Sequence, residues 1–121
     1  MIDYSEAIEE RLQHLAGLPP GWDSYGGLPI SPQVIETARA VIREITAAGG
    51  NLPMPYIAPC GDGTLSVEWA MPDGSELIVD VPPLADGRVE IRWVRTDVLG
   101  DINCAMSALG QVIRPLMGRE T

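Results

Sequence analysis

Few residues in this chain are equipped for chemistry. There is one histidine, His14. A nucleophile among Ser24, Ser31, Ser66, Ser75 and Ser107 would depend on that imidazole as its base. No Gly-x-Ser-x-Gly elbow and no phosphate-cradling glycine loop is present. Gly61-Asp62-Gly63 lacks the lysine and the following helix of a phosphate loop, and reads as a turn. The two cysteines, Cys60 and Cys104, are far apart and in no C-x-x-C pattern, which suits small buried residues better than a redox centre. No local group of His, Cys and carboxylates has ligand spacing, so neither a metal nor a cofactor is expected. Glu68, Asp80 and Glu90 can gather on one sheet face, but carboxylates do acid–base work only in a pocket that shifts their pKa values. With Arg88 and Arg92 alongside, that face reads as open and salt-bridged. The expectation is a protein that is not an enzyme.

What remains is recognition. Residues 18–32 hold four prolines and three glycines around two large aromatics, Trp22 and Tyr25. Connections between helices are usually shorter than this. The imino acids fix its path, and a flexible polar linker has no need of a tryptophan. Two readings fit. In one, Trp22 plugs an end of the core while Asp23 ties the turn through backbone N–H groups. In the other, Trp22, Asp23 and Tyr25 form the centre of a preformed binding loop.

Charge narrows the partner. Seventeen acids against eight bases give a net charge of −9. That opposes direct binding to nucleic acid, which needs clustered cations, and to anionic membranes. All eight bases are arginine, a bias that genome composition explains better than any physical demand. Residues 60–87 carry six acids and no base. Such a surface either keeps the protein in solution or faces a basic protein, with Glu68 and Asp80 as its contacts.

The elements that must position these residues follow from periodicity. A helix is expected at about 4–16, capped by Asp3 with Glu6, striped by Tyr4, Ile8, Leu12 and Leu15, and stopped by Gly17. His14 lies off the stripe. A second helix is expected at about 32–48, capped by Ser31 with Pro32 in its first turn. Asp-Gly then occurs three times, at 62–63, 73–74 and 86–87, between β-like runs at about 55–60, 64–71, 76–82 and 88–95. A three-residue loop at 72–74 pairs Trp69 with Leu77, Val67 with Val79 and Leu65 with Val81. A loop at 83–87 extends those rows to Trp93, Ile91 and Val89. The first strand has two solutions: a two-residue turn aims Tyr56, Ala58 and Cys60 inward, and a three-residue loop aims Ile57 inward. Pro53, Pro55 and Pro59 assign it to an edge. A third helix is expected at about 98–114, capped by Asp97 and striped by Leu99, Ile102, Met106, Leu109 and Ile113. Gly100, Ala105, Ala108 and Gly110 would give it a second, small-residue face.

The stretch from Leu18 to Pro32, an Ile/Ala helix after it, and Asp-Gly-Thr-Leu-Ser-Val-Glu-Trp at 62–69 together resemble a loose group of small bacterial proteins. Their shared pattern is Gly-Trp-Asp-x-x-Gly-x-x-Pro-Ile, a helix, and a Glu-Trp strand before a hairpin, covering about residues 18–80 here. No activity attaches to the group, so the resemblance implies a compact α+β domain and no chemistry.

At 121 residues the chain suits one domain, and its 45% apolar content excludes a disordered tail. No run approaches a membrane span, and the acidic start does not read as a secretion signal. The expected fold is α+β: one domain over 1–121, a four-stranded antiparallel meander with three helices on one face, in the order ααββββα. The expected function is an acidic, cytoplasmic, protein-binding domain with a basic partner, of the inhibitor, antitoxin or immunity type, from a bacterium or its mobile elements. The alternatives are a ligand-binding or enzymatic domain with a pocket between the 18–30 loop and the Trp69/Trp93 row, and a structural subunit that forms homodimers through the third helix or the first strand.

Overall fold

The computed structural model describes residues 4–49, 52–72, 74–83, 88–94 and 99–105. Helix α1 (Ser5–Ala16) follows the stripe: Leu12 and Leu15 are buried and Ile8 packs against the core. Tyr4 occupies its N-cap position and makes no side-chain cap bond. Asp3, the expected cap, lies outside the described residues. Gly17 closes the helix by donating its N–H to His14 O, and His14 itself is exposed.

Helix α2 (Pro32–Gly49) begins as its sequence demands. Ser31 Oγ accepts the Val34 N–H at 3.2 Å, satisfying a donor the first turn would leave orphaned. Val34, Ile35, Ala38, Val41, Ile42 and Ile45 form its buried face. Arg39 ties the helices together, its Nε and Nη2 donating to the two carboxylate oxygens of Glu9 at 3.0 and 2.6 Å and its Nη1 to Glu36. That fork holds the Glu9 carboxyl below the usual carboxylate range.

Five antiparallel strands follow in chain order: β1 (Tyr56–Pro59), β2 (Leu65–Ala70), β3 (Glu76–Val81), β4 (Arg88–Val94) and β5 (Leu99–Ala105). The register matches the parity argument. Trp69 faces Leu77, Val67 faces Val79 and Leu65 faces Val81, and β4 adds Trp93 opposite Leu77 and Ile91 opposite Val79. The β1–β2 and β2–β3 connections use one geometry. Gly63 and Gly74 both sit at φ +91°, the left-handed region that closes a three-residue hairpin loop. Cys60 N–H donates to Thr64 O and Gly63 N–H to Cys60 O, and Met71, Ser75 and Gly74 repeat the pattern. The three-residue loop is thus the solution for β1: Ile57 is 1% exposed, and Tyr56 is 67% exposed on the other face.

The prolines of β1 have a directional logic. Cys60 and Thr64 share a ladder bond, so alternation places the next ladder bonds at Ala58–Ser66 and Tyr56–Glu68. Ile57 and Pro59 turn their backbone groups to the open edge, where Pro59 has no N–H to offer another strand. Arg11 Nε takes the outward carbonyl of Ile57 at 3.0 Å. Proline and arginine together blunt an edge that would otherwise invite pairing.

The C-terminal expectation is corrected. Residues 99–105 form strand β5, with Ile91 opposite Ile102, Val89 opposite Cys104 and Trp93 opposite Gly100. Gly100, Asp101, Asn103 and Cys104 are weak helix formers. Gly100, Ile102 and Cys104 also alternate with Asp101 and Asn103 at period two, a pattern that the helical stripe through Leu99 and Ile102 masks. A helical small-residue face cannot include Gly100 and Ala105, which are strand residues. The rest of the expected third helix, with its cap Asp97, lies outside the described residues. Among those described, the architecture is α+β with two helices over one face of a five-stranded meander. The core lies between them, with Trp69, Leu12, Leu15, Ile45, Ile57, Leu65 and Leu77 among its largest sealed side chains.

Candidate protein-binding site

The segment between the helices is held by its own side chains. Asp23 Oδ1 accepts the N–H of Tyr25 at 2.9 Å and of Gly27 at 2.7 Å. Those two donors favour the ionised form and hold the Asp23 carboxyl below its ordinary range. Gly21 N–H bonds Gly27 O at 2.8 Å, closing the loop at its neck, and Ser24 N–H bonds Gly21 O. Trp22 Nε1–H donates to Leu28 O at 2.8 Å. The backbone turns at Gly21, Ser24 and Gly26, all with positive φ. Gly27 is obligatory for another reason: a Cβ there would lie 2.7 Å from the Asp23 carboxyl carbon.

Both ends of the loop are anchored. Leu18 packs against the core and Ile30 belongs to it. Leu28 N–H donates to Gly61 O at 2.9 Å, so the loop stands on the β1–β2 turn. That turn is also carboxylate-tied: Asp62 Oδ1 accepts the Thr64 N–H at 2.9 Å, and its carboxyl titrates below the usual range as a result.

On this frame Tyr25 is 92% exposed and Leu28 is 54% exposed. The two sequence readings therefore divide between residues. Asp23 ties the turn. Trp22 is half-buried and spends its N–H on the loop, and it is not among the sealed core side chains. Tyr25 is the residue the loop presents.

Glu68 and Asp80 lie on the sheet face opposite the helices. Both are half-buried, and neither has a hydrogen-bond or ion-pair partner among the described residues. Glu68 is opposite Tyr56 and Asp80 is opposite Ser66. Tyr56 was not legible as a surface residue until the β1–β2 loop length was known. Cys60 sits at the junction of the two regions. Burial pushes its thiol pKa up, and the charges of Asp80 and Asp62 push it further, so it is a poor nucleophile.

Among the described residues no three His, Cys, Asp or Glu side chains assemble a metal site, and no helix is long and apolar enough to cross a membrane. Trp69 is 1% exposed, sealed in the core rather than lining a surface row. No protein family, curated protein or solved structure matches this chain.

Proposed function

We propose that this chain is a non-enzymatic, acidic protein-binding domain of the inhibitor, antitoxin or immunity type. It acts in the bacterial cytoplasm on a basic partner, and it belongs to a bacterium or one of its mobile elements. The observation that carries the reading is Tyr25. An almost fully exposed aromatic stands on a loop that two side chains, Trp22 and Asp23, and a closed neck hold in one shape. Exposing a large apolar ring has a solvation cost, and ordering the loop in advance lowers the entropy lost on association. Tyrosine on a rigid support is a common anchor of protein interfaces. The charge of −9 adds long-range attraction for a cationic protein.

The test is affinity capture from a bacterial lysate at low and moderate salt, with the full chain and its Tyr25→Ala variant as baits. A basic protein recovered in stoichiometric amount by the first, and lost from the second, supports the reading. Equal recovery by both baits refutes Tyr25 as the contact, and no protein recovered refutes the reading as a whole.

A further inference from the structure

The open sheet face holds a pair that the loop does not explain. Tyr56 on β1 is exposed, and Glu68 on β2 stands directly opposite. Side chains so placed have Cβ atoms about 5 Å apart. The neighbouring pair toward the turn is Ala58–Ser66, both small, and Asp80 opposes Ser66 from β3. Glu68 and Asp80 are thus diagonal neighbours, about 7–8 Å apart at Cβ, with small Ser66 and half-buried Ile78 at the other two corners. This half of the face, β1 to β3, carries Glu68, Glu76 and Asp80 and no cation, while Arg88 and Arg92 stand on β4. An aromatic ring beside a carboxylate that has no partner among the described residues matches a cation with a flat face.

We infer that Tyr56 and Glu68, with Asp80 beside them, receive an arginine side chain of a basic partner protein. The inference rests on the protein-binding reading and extends it to a second contact. The guanidinium stacks on the Tyr56 ring and pairs with the Glu68 carboxylate, and its stem crosses Ala58 and Ser66. Arginine fits better than lysine because its planar fork both stacks and bonds carboxylates bidentately, and it sheds water more easily.

The test is an NMR titration of the full, isotopically labelled chain with a hexa-arginine peptide, and with hexa-lysine as the equal-charge control. Amide shifts centred on 56–58, 66–68 and 80 are expected. Tyr56→Ala and Glu68→Gln should each weaken hexa-arginine binding about two- to fivefold, the scale of an exposed cation–π or ion-pair contact. Tyr56→Phe should bind like the native chain, and hexa-lysine more weakly. Shifts centred on Glu6 and Glu10, equal affinity of the two peptides, or an equal loss in a Glu6→Gln, Glu10→Gln control would overturn the assignment. If a captured protein is lost with Tyr25→Ala yet kept with Tyr56→Ala and Glu68→Gln, this inference fails and the binding reading stands. If hexa-arginine maps to Tyr56 and Tyr25→Ala leaves capture unchanged, the sheet site stands and the loop reading fails.

Discussion

The Asp23 carboxylate fills the space that a side chain on Gly27 would need. An added Cβ would sit 2.7 Å from its carboxyl carbon, and the same carboxylate accepts the Gly27 N–H. Gly27→Ala must therefore break the bond that shapes the loop. We expect it to cost about 1–3 kcal/mol, as overpacking of a closed site does. Urea unfolding measures the cost, and tryptophan fluorescence should report the release of Trp22 from Leu28. A stability equal to that of the native chain would refute this account of the loop.

The charge on Asp23 has its own signature. Its folded pKa is lowered by the Tyr25 and Gly27 N–H groups. A lowered folded value means that the stabilisation is present above the unfolded pKa of about 4 and is lost as pH falls through the folded one. Asp23→Asn keeps the shape and removes the charge. The native chain should melt higher than this variant at pH 7, and the gap should begin to narrow as the pH drops below about 4, where the unfolded carboxyl protonates, and close only below the lower folded value, where the native carboxyl is protonated too. A gap independent of pH across that range would exclude a role for the charge.

The two hairpin glycines separate backbone strain from crowding. Gly63 and Gly74 share φ +91°, but a Cβ on Gly63 would lie 3.3 Å from Pro83 Cβ while one on Gly74 meets nothing within 4 Å. Gly74→Ala should cost about 1–2 kcal/mol, the penalty of a left-handed L-residue. Gly63→Ala should cost more. Chemical denaturation of the two variants side by side decides the order, and the reverse order would contradict the packing of Pro83 on the first turn.

Much of this was written in local pattern. Ser31 before Pro32 marked the start of α2, and the alternation of Leu65, Val67 and Trp69 against Leu77, Val79 and Val81 set a register that a one-residue slip would have destroyed. The Gly-Trp-Asp loop was visible as unusual, yet its division of labour was not. Nothing in the spacing shows that Trp22 bonds Leu28 O or that Gly61, over thirty residues away, receives Leu28 N–H. The orientation of Tyr56 hung on one residue of loop length. Leu99 to Ala105 misled because four or five residues satisfy both periods, and the edge of β4 supplies the tertiary preference that local propensity lacks.

The edge contact of Arg11 with Ile57 O links α1 to β1 over 46 residues. Arg11→Ala should destabilise the fold by about 1–2 kcal/mol, the scale of a hydrogen bond from a charged donor. It also frees an outward carbonyl on the β1 edge. Sedimentation at rising concentration should then show more self-association than in the native chain. Unchanged association would mean that Pro55 and Pro59 suffice to blunt the edge.

The strand assignment of 99–105 makes a prediction of opposite sign to the helical one. Asn103 stands opposite Glu90 in the β4–β5 ladder. In a strand, threonine at this position is preferred over alanine by up to about 1 kcal/mol, because a branched side chain fits the pleated surface. In a helix, alanine wins by about 0.5 kcal/mol, because threonine loses rotamer freedom against the preceding turn. Asn103→Thr should therefore melt above Asn103→Ala. Both substitutions remove the same amide, so the comparison cancels that loss and leaves the backbone preference. Alanine above threonine would return 99–105 to the helix that its Leu99–Ile102 spacing suggests.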